Sequence, residues 1–201
     1  MAEIRLQPRS PFAGLLKPGR HGARRGAAGV SLSERIGLAL CIISAGANKG
    51  GEVAAKMASV TGLDLPMGQG RISKSGFALI GTAPGQWLAV AESKEARVLP
   101  AMLGVALKGD ATVVDLSDGK AVLRISGPRA RDTLAKGCSL DLHPSVFKPG
   151  NAATTPVALV DCVIWQVDEM PTYDLAVPTS YAESFWSWLT ASAAEYGYTV
   201  K

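Results

Sequence analysis

The stretch PGQWLAVAES, residues 84–93, has a counterpart in PTYDLAVPTS, residues 171–180. Proline opens both, Leu-Ala-Val stands at the same place in both, and serine closes both. Leu88-Ala89-Val90 and Leu175-Ala176-Val177 suit buried strands, and a serine after such a strand suits the cap of a following helix. The echo implies that one structural unit occurs twice in the chain.

The elements around the echo agree. Ile36 to Ser44 is a short apolar run ending in β-branched residues, which predicts a strand buried on both faces. Residues 48–63 read as a helix with Val53, Met57 and Val60 on one face, Asn48 as its cap and Gly62 near its end. Strands are expected over 75–81 and 86–91. A helix over 94–107 follows, capped by Ser93, with Pro100 kinking it or marking its true start. ATVVDLS and KAVLRIS flank Asp118-Gly119, a hairpin signal. In the second of these strands Ala121, Leu123 and Ile125 share one face and Lys120, Arg124 and Ser126 the other. Gly127-Pro128 opens a short helix that Gly137 is placed to end. After a loop over 139–155 come strands near 156–160, 162–168 and 172–178. A last helix over 181–196 carries Tyr181, Phe185, Trp188, Leu189, Ser192 and Tyr196 on its core stripe, with Trp186 off it.

Two runs of strand, helix, two or three strands and helix predict an α+β fold of two duplicated ferredoxin-like β-α-β-β-α units with mostly antiparallel sheets. The expected organisation is an extended basic arm over 1–32, a first half over 33–109 and a second over 110–201, forming one compact globular unit. The net charge of +4 arises in the arm, because residues 1–35 hold seven Lys/Arg against two acids. Such an arm suits an anionic partner surface; with no aromatic beyond Phe12 interleaving its charges, it does not predict nucleic-acid binding.

RRGAAGVSLSERIGLALCIISAGANKGG, residues 24–51, has the outline of a secretory signal. Ser33-Glu34-Arg35 separates the arginine pair from the apolar run, and cleavage after Ala47 would remove the first strand of a unit that the echo requires. The stretch is therefore read as arm, strand and turn. The apolar run is too short for the ~20 residues that span a bilayer, so no membrane association is expected.

The chemistry-bearing residues are sparse. The three cysteines, Cys41, Cys138 and Cys162, form no C-x-x-C pair, which predicts neither a disulfide framework nor a zinc site. The two histidines, His21 and His143, have no metal-ligand spacing. GANKGGE, residues 46–52, lies where a phosphate loop would but lacks the Gly-Lys-Ser/Thr ending. Lys136-Gly137-Cys138 is followed by Ser139-Leu140-Asp141 and not by the aromatic and Gly-Gln of a folate-binding iron–sulfur maturation signature. No catalytic, cofactor-binding or metal-binding residue is predicted. Arg20, Arg24, Arg25, Arg124, Arg129, Arg131 and Trp186 are the candidate partner contacts.

Four stretches, GLALCIISA, GTAPGQWLAVAE, DLSDGKAVLRISGPRARDTLAKGCSLDLHP and WQVDEMPTYDLAVPTSYAESFWSWL, resemble the gamma subunit family of heterotetrameric sarcosine oxidases. They span most of residues 36–197. The resemblance implies a fold similar to the folate-binding domain of the glycine-cleavage aminomethyltransferase. It also implies a cytoplasmic complex that demethylates sarcosine to glycine, yields hydrogen peroxide and passes the one-carbon unit to tetrahydrofolate. The family's FAD and FMN are assigned to the beta subunit, NAD and tetrahydrofolate to alpha, and zinc to delta, leaving gamma as a non-catalytic assembly subunit. The alternatives are a free-standing folate-binding aminomethyltransferase-like enzyme, which would be a longer chain, and an iron–sulfur maturation protein.

Overall fold

The computed structural model describes residues 9–92, 96 and 98–201. Two sheets are stacked face to face, with a layer of helices outside each. The five-stranded sheet contains β3 (Leu38–Ala45), β4 (Arg71–Lys74), β5 (Phe77–Ala83), β6 (Gln86–Glu92) and β7 (Ala111–Asp115), in the order β4-β5-β6-β3-β7. The seven-stranded sheet contains β1 (Gly19–His21), β2 (Val30–Glu34), β8 (Lys120–Ser126), β9 (Ala152–Val157), β10 (Val160–Asp168), β11 (Thr172–Pro178) and β12 (Tyr198–Val200). Its order is β1-β12-β2-β8-β11-β10-β9. All strand pairs are antiparallel except β2 with β12.

Helices α1 (Gly50–Thr61) and α2 (Leu99–Ala106) cover the outer face of the five-stranded sheet; α3 (Ala130–Ala135) and α4 (Ala182–Ala193) cover that of the seven-stranded sheet. Three apolar layers result. Val53, Met57, Leu99 and Leu103 pack on Cys41, Ile43 and Leu79; Leu134, Phe185 and Leu189 pack on Leu123, Ile125 and Leu175. Between the sheets, Leu40, Ile80, Leu88 and Val90 meet Val122, Val163, Trp165 and Ala176. Burial on both faces explains why the central strands read as continuous apolar runs.

The duplication is present, as β3-α1-β4-β5-β6-α2-β7 and β8-α3-β9-β10-β11-α4-β12, and β6 and β11 occupy matching places. Their shared Leu-Ala-Val does not match in orientation. Leu88 and Val90 face the opposite sheet, whereas Leu175 and Val177 face the helices. The echo marks the right strands in a register shifted by an odd number of residues, which turns every side chain over.

The hairpin expected at Asp118-Gly119 does not form. β7 pairs with β3 and β8 with β2 and β11, so the turn carries the chain from one sheet to the other. A two-residue type I′ turn needs positive φ at both central residues. Neither Asp118 nor Gly119 has it, and Gly119 N–H instead donates to Leu116 O at 3.0 Å. Two-residue hairpin turns with positive φ at both positions lie instead at Ser75-Gly76, with φ of 49° and 78°, and at Ala158-Leu159, with φ of 51° and 65°. Lacking glycine or asparagine, the Ala158-Leu159 turn gives no sequence signal, and a strand was expected across it. β7 completes the five-stranded sheet beyond residue 109, and β2, although before β3, belongs to the seven-stranded one. β4 was not foreseen.

The described part of the arm is built into the fold. Val30 and Leu32 are buried in β2, β1 pairs with β12, and Phe12 is fully buried. Gly62 caps α1 in the left-handed conformation, its N–H donating to Ala58 O at 2.9 Å. Asn48 is not the cap; it sits at φ 59° and Lys49 precedes the helix. α2 begins at Leu99 with Pro100 in its first turn, and the cap expected at Ser93 lies outside the described residues.

Gly137 is not a left-handed cap. A Cβ there would lie 2.5 Å from Cζ2 of Trp188 and 3.2 Å from Ala158 N. Gly137→Ala is expected to cost about 1–3 kcal/mol through overpacking, measured as a lower urea midpoint; an unchanged midpoint would show that the Trp188 ring yields freely.

Candidate functional site

The chain passes between the sheets twice, at residues 35–37 and 116–119. Beside the first crossing is a cleft of about 320 Å³, lined by charged residues from both sheets. Arg35 occupies the crossing itself. Arg71 and Lys74 come from β4, Glu92 from the end of β6, Arg124 from β8 and Asp174 from β11; Leu38, Phe77, Val90, Trp165 and Val167 are the large apolar residues of the lining, which also includes the β4–β5 turn.

Asp174 organises the cluster. It stands in β11 opposite Arg124, on the face turned toward the other sheet, and is 2% exposed. A carboxylate so buried must be paired. Arg124 holds it with two parallel bonds, Nε to Oδ1 at 2.6 Å and Nη2 to Oδ2 at 2.8 Å, and Arg35 Nη1 adds a third to Oδ2 at 2.9 Å. The other end of the Arg35 fork reaches Glu92 Oε1 at 2.5 Å. Arg35 thus ties a carboxylate of one sheet to a carboxylate of the other. The hydrogen bonds that Arg124 donates to Asp174 raise its own pKa, outweighing the effect of burial.

Arg71 differs. Its Nε is buried without a hydrogen-bond partner among the described residues, while the ion pairs of Asp174 and Glu92 go to Arg35 and Arg124. Burial pushes its pKa down, and the Arg124 and Arg35 charges add to that against the pull of Asp174.

Of the residues singled out in the sequence, only Arg124 lies in this cleft. Arg129 is on the surface, paired with Asp132 at 2.8 Å and with its guanidinium 5.5 Å from the Tyr196 ring centre. Arg131 lies over the Tyr173 ring at 6.0 Å. Arg20 donates to Ala23 O at 3.1 Å, and Arg24 and Arg25 are exposed in the turn after β1. Trp186 is 7% exposed, its ring centre 6.2 Å from that of Phe12. The arm thus covers the side of α4 that the helical stripe left out, while Tyr181 of that stripe is 51% exposed. Arg35, Arg71, Glu92 and Asp174 were missed. The usable signal was a pair of opposite charges, Arg124 and Asp174, each in the middle of a strand with apolar neighbours on both sides.

The other reactive side chains have structural surroundings. Burial, and then Asp115, pushes the Cys41 thiol up to about 11. Burial, with Cys138 next, pushes Cys162 up to about 12, and burial also raises Cys138. Thiols held neutral are poor nucleophiles. At pH 8, Ellman's reagent is expected to titrate no thiol in the native chain and all three in denaturant; rapid native reaction would contradict this burial. The raised values favour the folded state fully below the ordinary thiol pKa of 9.0, and that contribution is lost as pH rises toward about 11 and 12. His143 bonds Ser145 Oγ at 2.7 Å within its own turn, and His21 stacks on Tyr198 with ring centres 5.3 Å apart.

Residues 45–195 match the model of the sarcosine oxidase, gamma subunit family. The chain belongs to this family. It is 31% identical over 144 residues to the sarcosine oxidase subunit gamma of Corynebacterium sp. (strain U-96), covering 71% of this chain and 69% of that one. For the subunit of Corynebacterium sp. (strain P-1) the identity is 34% over 145 residues, covering 71% and 70%. Among solved structures, the fold is similar to a chain of the heterotetrameric sarcosine oxidase from Corynebacterium sp. U-96 in complex with pyrrole 2-carboxylate. That match has a TM-score of 0.80 and 30% identity, and covers 94% of this chain and 96% of that one. Aminomethyltransferase T of the glycine cleavage system from Bartonella henselae shares the fold, with a TM-score of 0.64 at 17% identity, over 87% of this chain and 47% of that one. The α+β architecture with mostly antiparallel sheets, inferred from the echo, agrees with both similarities.

Proposed function

We propose that this gamma-family chain is a non-catalytic structural subunit of a heterotetrameric sarcosine oxidase. In this reading it docks onto alpha, beta and delta subunits that carry FAD, FMN, NAD, tetrahydrofolate and zinc, in the cytoplasm. The complex oxidatively demethylates sarcosine to glycine, with tetrahydrofolate as one-carbon acceptor and hydrogen peroxide as product. The observation that carries this reading is the similarity, over nearly the whole chain, to one chain of a heterotetrameric sarcosine oxidase. Three buried thiols with raised pKa values and two histidines engaged in local packing support a structural role over a catalytic one. No helix among the described residues is long and apolar enough to cross a membrane.

The test is co-expression with candidate flavoprotein subunits and purification through a tag on this chain. A yellow complex that turns over sarcosine is expected; with the tag moved to a flavoprotein subunit and this chain omitted, the yield of complex, not its turnover per flavin, should fall. A colourless chain that captures no flavoprotein would defeat the reading. Turnover of an aminomethyl donor by the isolated chain with tetrahydrofolate would favour the free-standing enzyme instead.

A further inference from the structure

The cleft beside the first crossing contains four cations, Arg35, Arg71, Lys74 and Arg124, against two carboxylates, Glu92 and Asp174. Both carboxylates are committed to Arg35 and Arg124. Lys74 shares the face of Phe77, its partner in β5, on the helix side of the sheet, so the surplus positive charge turned toward the second sheet lies at Arg71, whose buried Nε has no hydrogen-bond partner among the described residues.

A guanidinium in that condition is costly unless an anion completes it. A structural arginine normally has its partner within the fold, as Arg124 and Arg35 have here. Ser73 stands two residues along β4 on the same face as Arg71 and lines the same cleft, offering a hydroxyl. Leu38, Ala78 and Val90, with Trp165 and Val167 of the opposite sheet, give the wall an apolar part, and Ser75 and Gly76 lie at its edge. The cavity volume of about 320 Å³ lies at the lower end of the range for small-molecule pockets. One end therefore calls for a planar anion that can meet an arginine fork, and the other for a short hydrocarbon or ring body.

We propose that this cleft is a binding site for a small organic carboxylate, its carboxylate group held by Arg71 with the Ser73 hydroxyl beside it and its apolar part resting against Trp165 and Val90. Asp174 takes no part in contacting the ligand; with Arg35 and Arg124 it fixes the back wall. The bound anion neutralises Arg71 and relieves the repulsion from Arg35 and Arg124, so binding stabilises the fold by linkage. The site goes beyond the assembly role proposed above and does not depend on it.

The experiment uses the full-length chain, in whichever assembly it purifies, titrated with acetate, succinate, glutarate and benzoate. Sodium chloride at equal ionic strength is the reference, and inorganic phosphate is a separate arm. A saturable rise in melting temperature and a change in tryptophan fluorescence are expected for at least one carboxylate, with the fluorescence change reduced in Trp165→Phe. Arg71→Met should weaken that binding at least tenfold while leaving the ligand-free melting temperature unchanged or higher, because it removes an uncompensated charge. Three results would overturn the proposal: no carboxylate acting beyond chloride, phosphate binding more tightly than every carboxylate, or Arg71→Met lowering the ligand-free melting temperature as a broken internal ion pair does. The last would show Arg71 to be structural.

Discussion

Asp174→Ala is expected to destabilise the chain by about 3–5 kcal/mol, the cost of removing one partner from a buried ion pair. The loss exceeds that of the hydrogen bonds themselves. Asp174 is 2% exposed and accepts from Arg124 twice and from Arg35 once, all at 2.6–2.9 Å. Without it, two guanidiniums face each other between the sheets with only the half-exposed Glu92 nearby. Urea unfolding at neutral pH gives the measure, and a double-mutant cycle identifies the cause. In an Arg124→Met background the cost of Asp174→Ala should be smaller by at least about 1 kcal/mol, since one stranded charge has gone. Equal costs in both backgrounds would mean that the two residues are not coupled. Asp174→Asn should also be strongly destabilising, because it keeps the shape and loses the charge. Since Arg35 links Asp174 to Glu92, the damage is expected to include the seam between the sheets, seen as faster hydrogen exchange in β3 and β8.

Phe12→Ala is expected to cost about 3–5 kcal/mol, the range for truncating a buried phenylalanine. Phe12 is fully buried beside Trp186, and the turn it occupies is closed by Ser10, whose Oγ accepts from Phe12 N–H at 2.9 Å and donates to Glu34 at 2.6 Å. The arm beyond it contributes β1 and β2 to the seven-stranded sheet. Limited proteolysis should therefore cut Phe12→Ala in the exposed arginine turn at residues 24–25 faster than wild type. A loss below about 1 kcal/mol with unchanged proteolysis would show that strand pairing alone holds the arm. The two substitutions act on different layers, the sheet-to-sheet seam and the helix side of the larger sheet, so their costs should be close to additive.

The seam and the arm also mark where local reading of the sequence stops. KAVLRIS alternates, and one of its faces carries Lys120, Arg124 and Ser126, the pattern of a half-solvated strand. That face is instead turned to the second sheet, with Val122 buried between Lys120 and Arg124. Alternation reports that two faces differ; it does not report what each face meets. Arg124 was therefore read as a surface cation, and Asp174 was passed over inside a strand that looked apolar. Trp186 shows the same limit on a helix. The stripe of α4 was placed from its own residues, and the buried face turned out to include Trp186 because Phe12, more than 170 positions earlier, lies on it.

By itself, the sequence determined the α+β class, the duplication, the termination of α1 at Gly62 and the positions of most strands and helices. These depend on interactions a few residues long: apolar period, left-handed glycine, proline in a first turn. It also carried, in four stretches, the resemblance to the family to which the chain belongs. Only the tertiary structure decided which sheet each strand joins, that Asp118-Gly119 is a crossing and not a hairpin, and that the Leu-Ala-Val echo is out of register. It alone gathered Arg35, Arg71, Glu92, Arg124 and Asp174 into one cleft. The reason is physical. Strand partners are chosen by hydrogen bonds and burial between segments distant in the chain, and a buried charge acquires its meaning only from the opposite charge that folding brings to it.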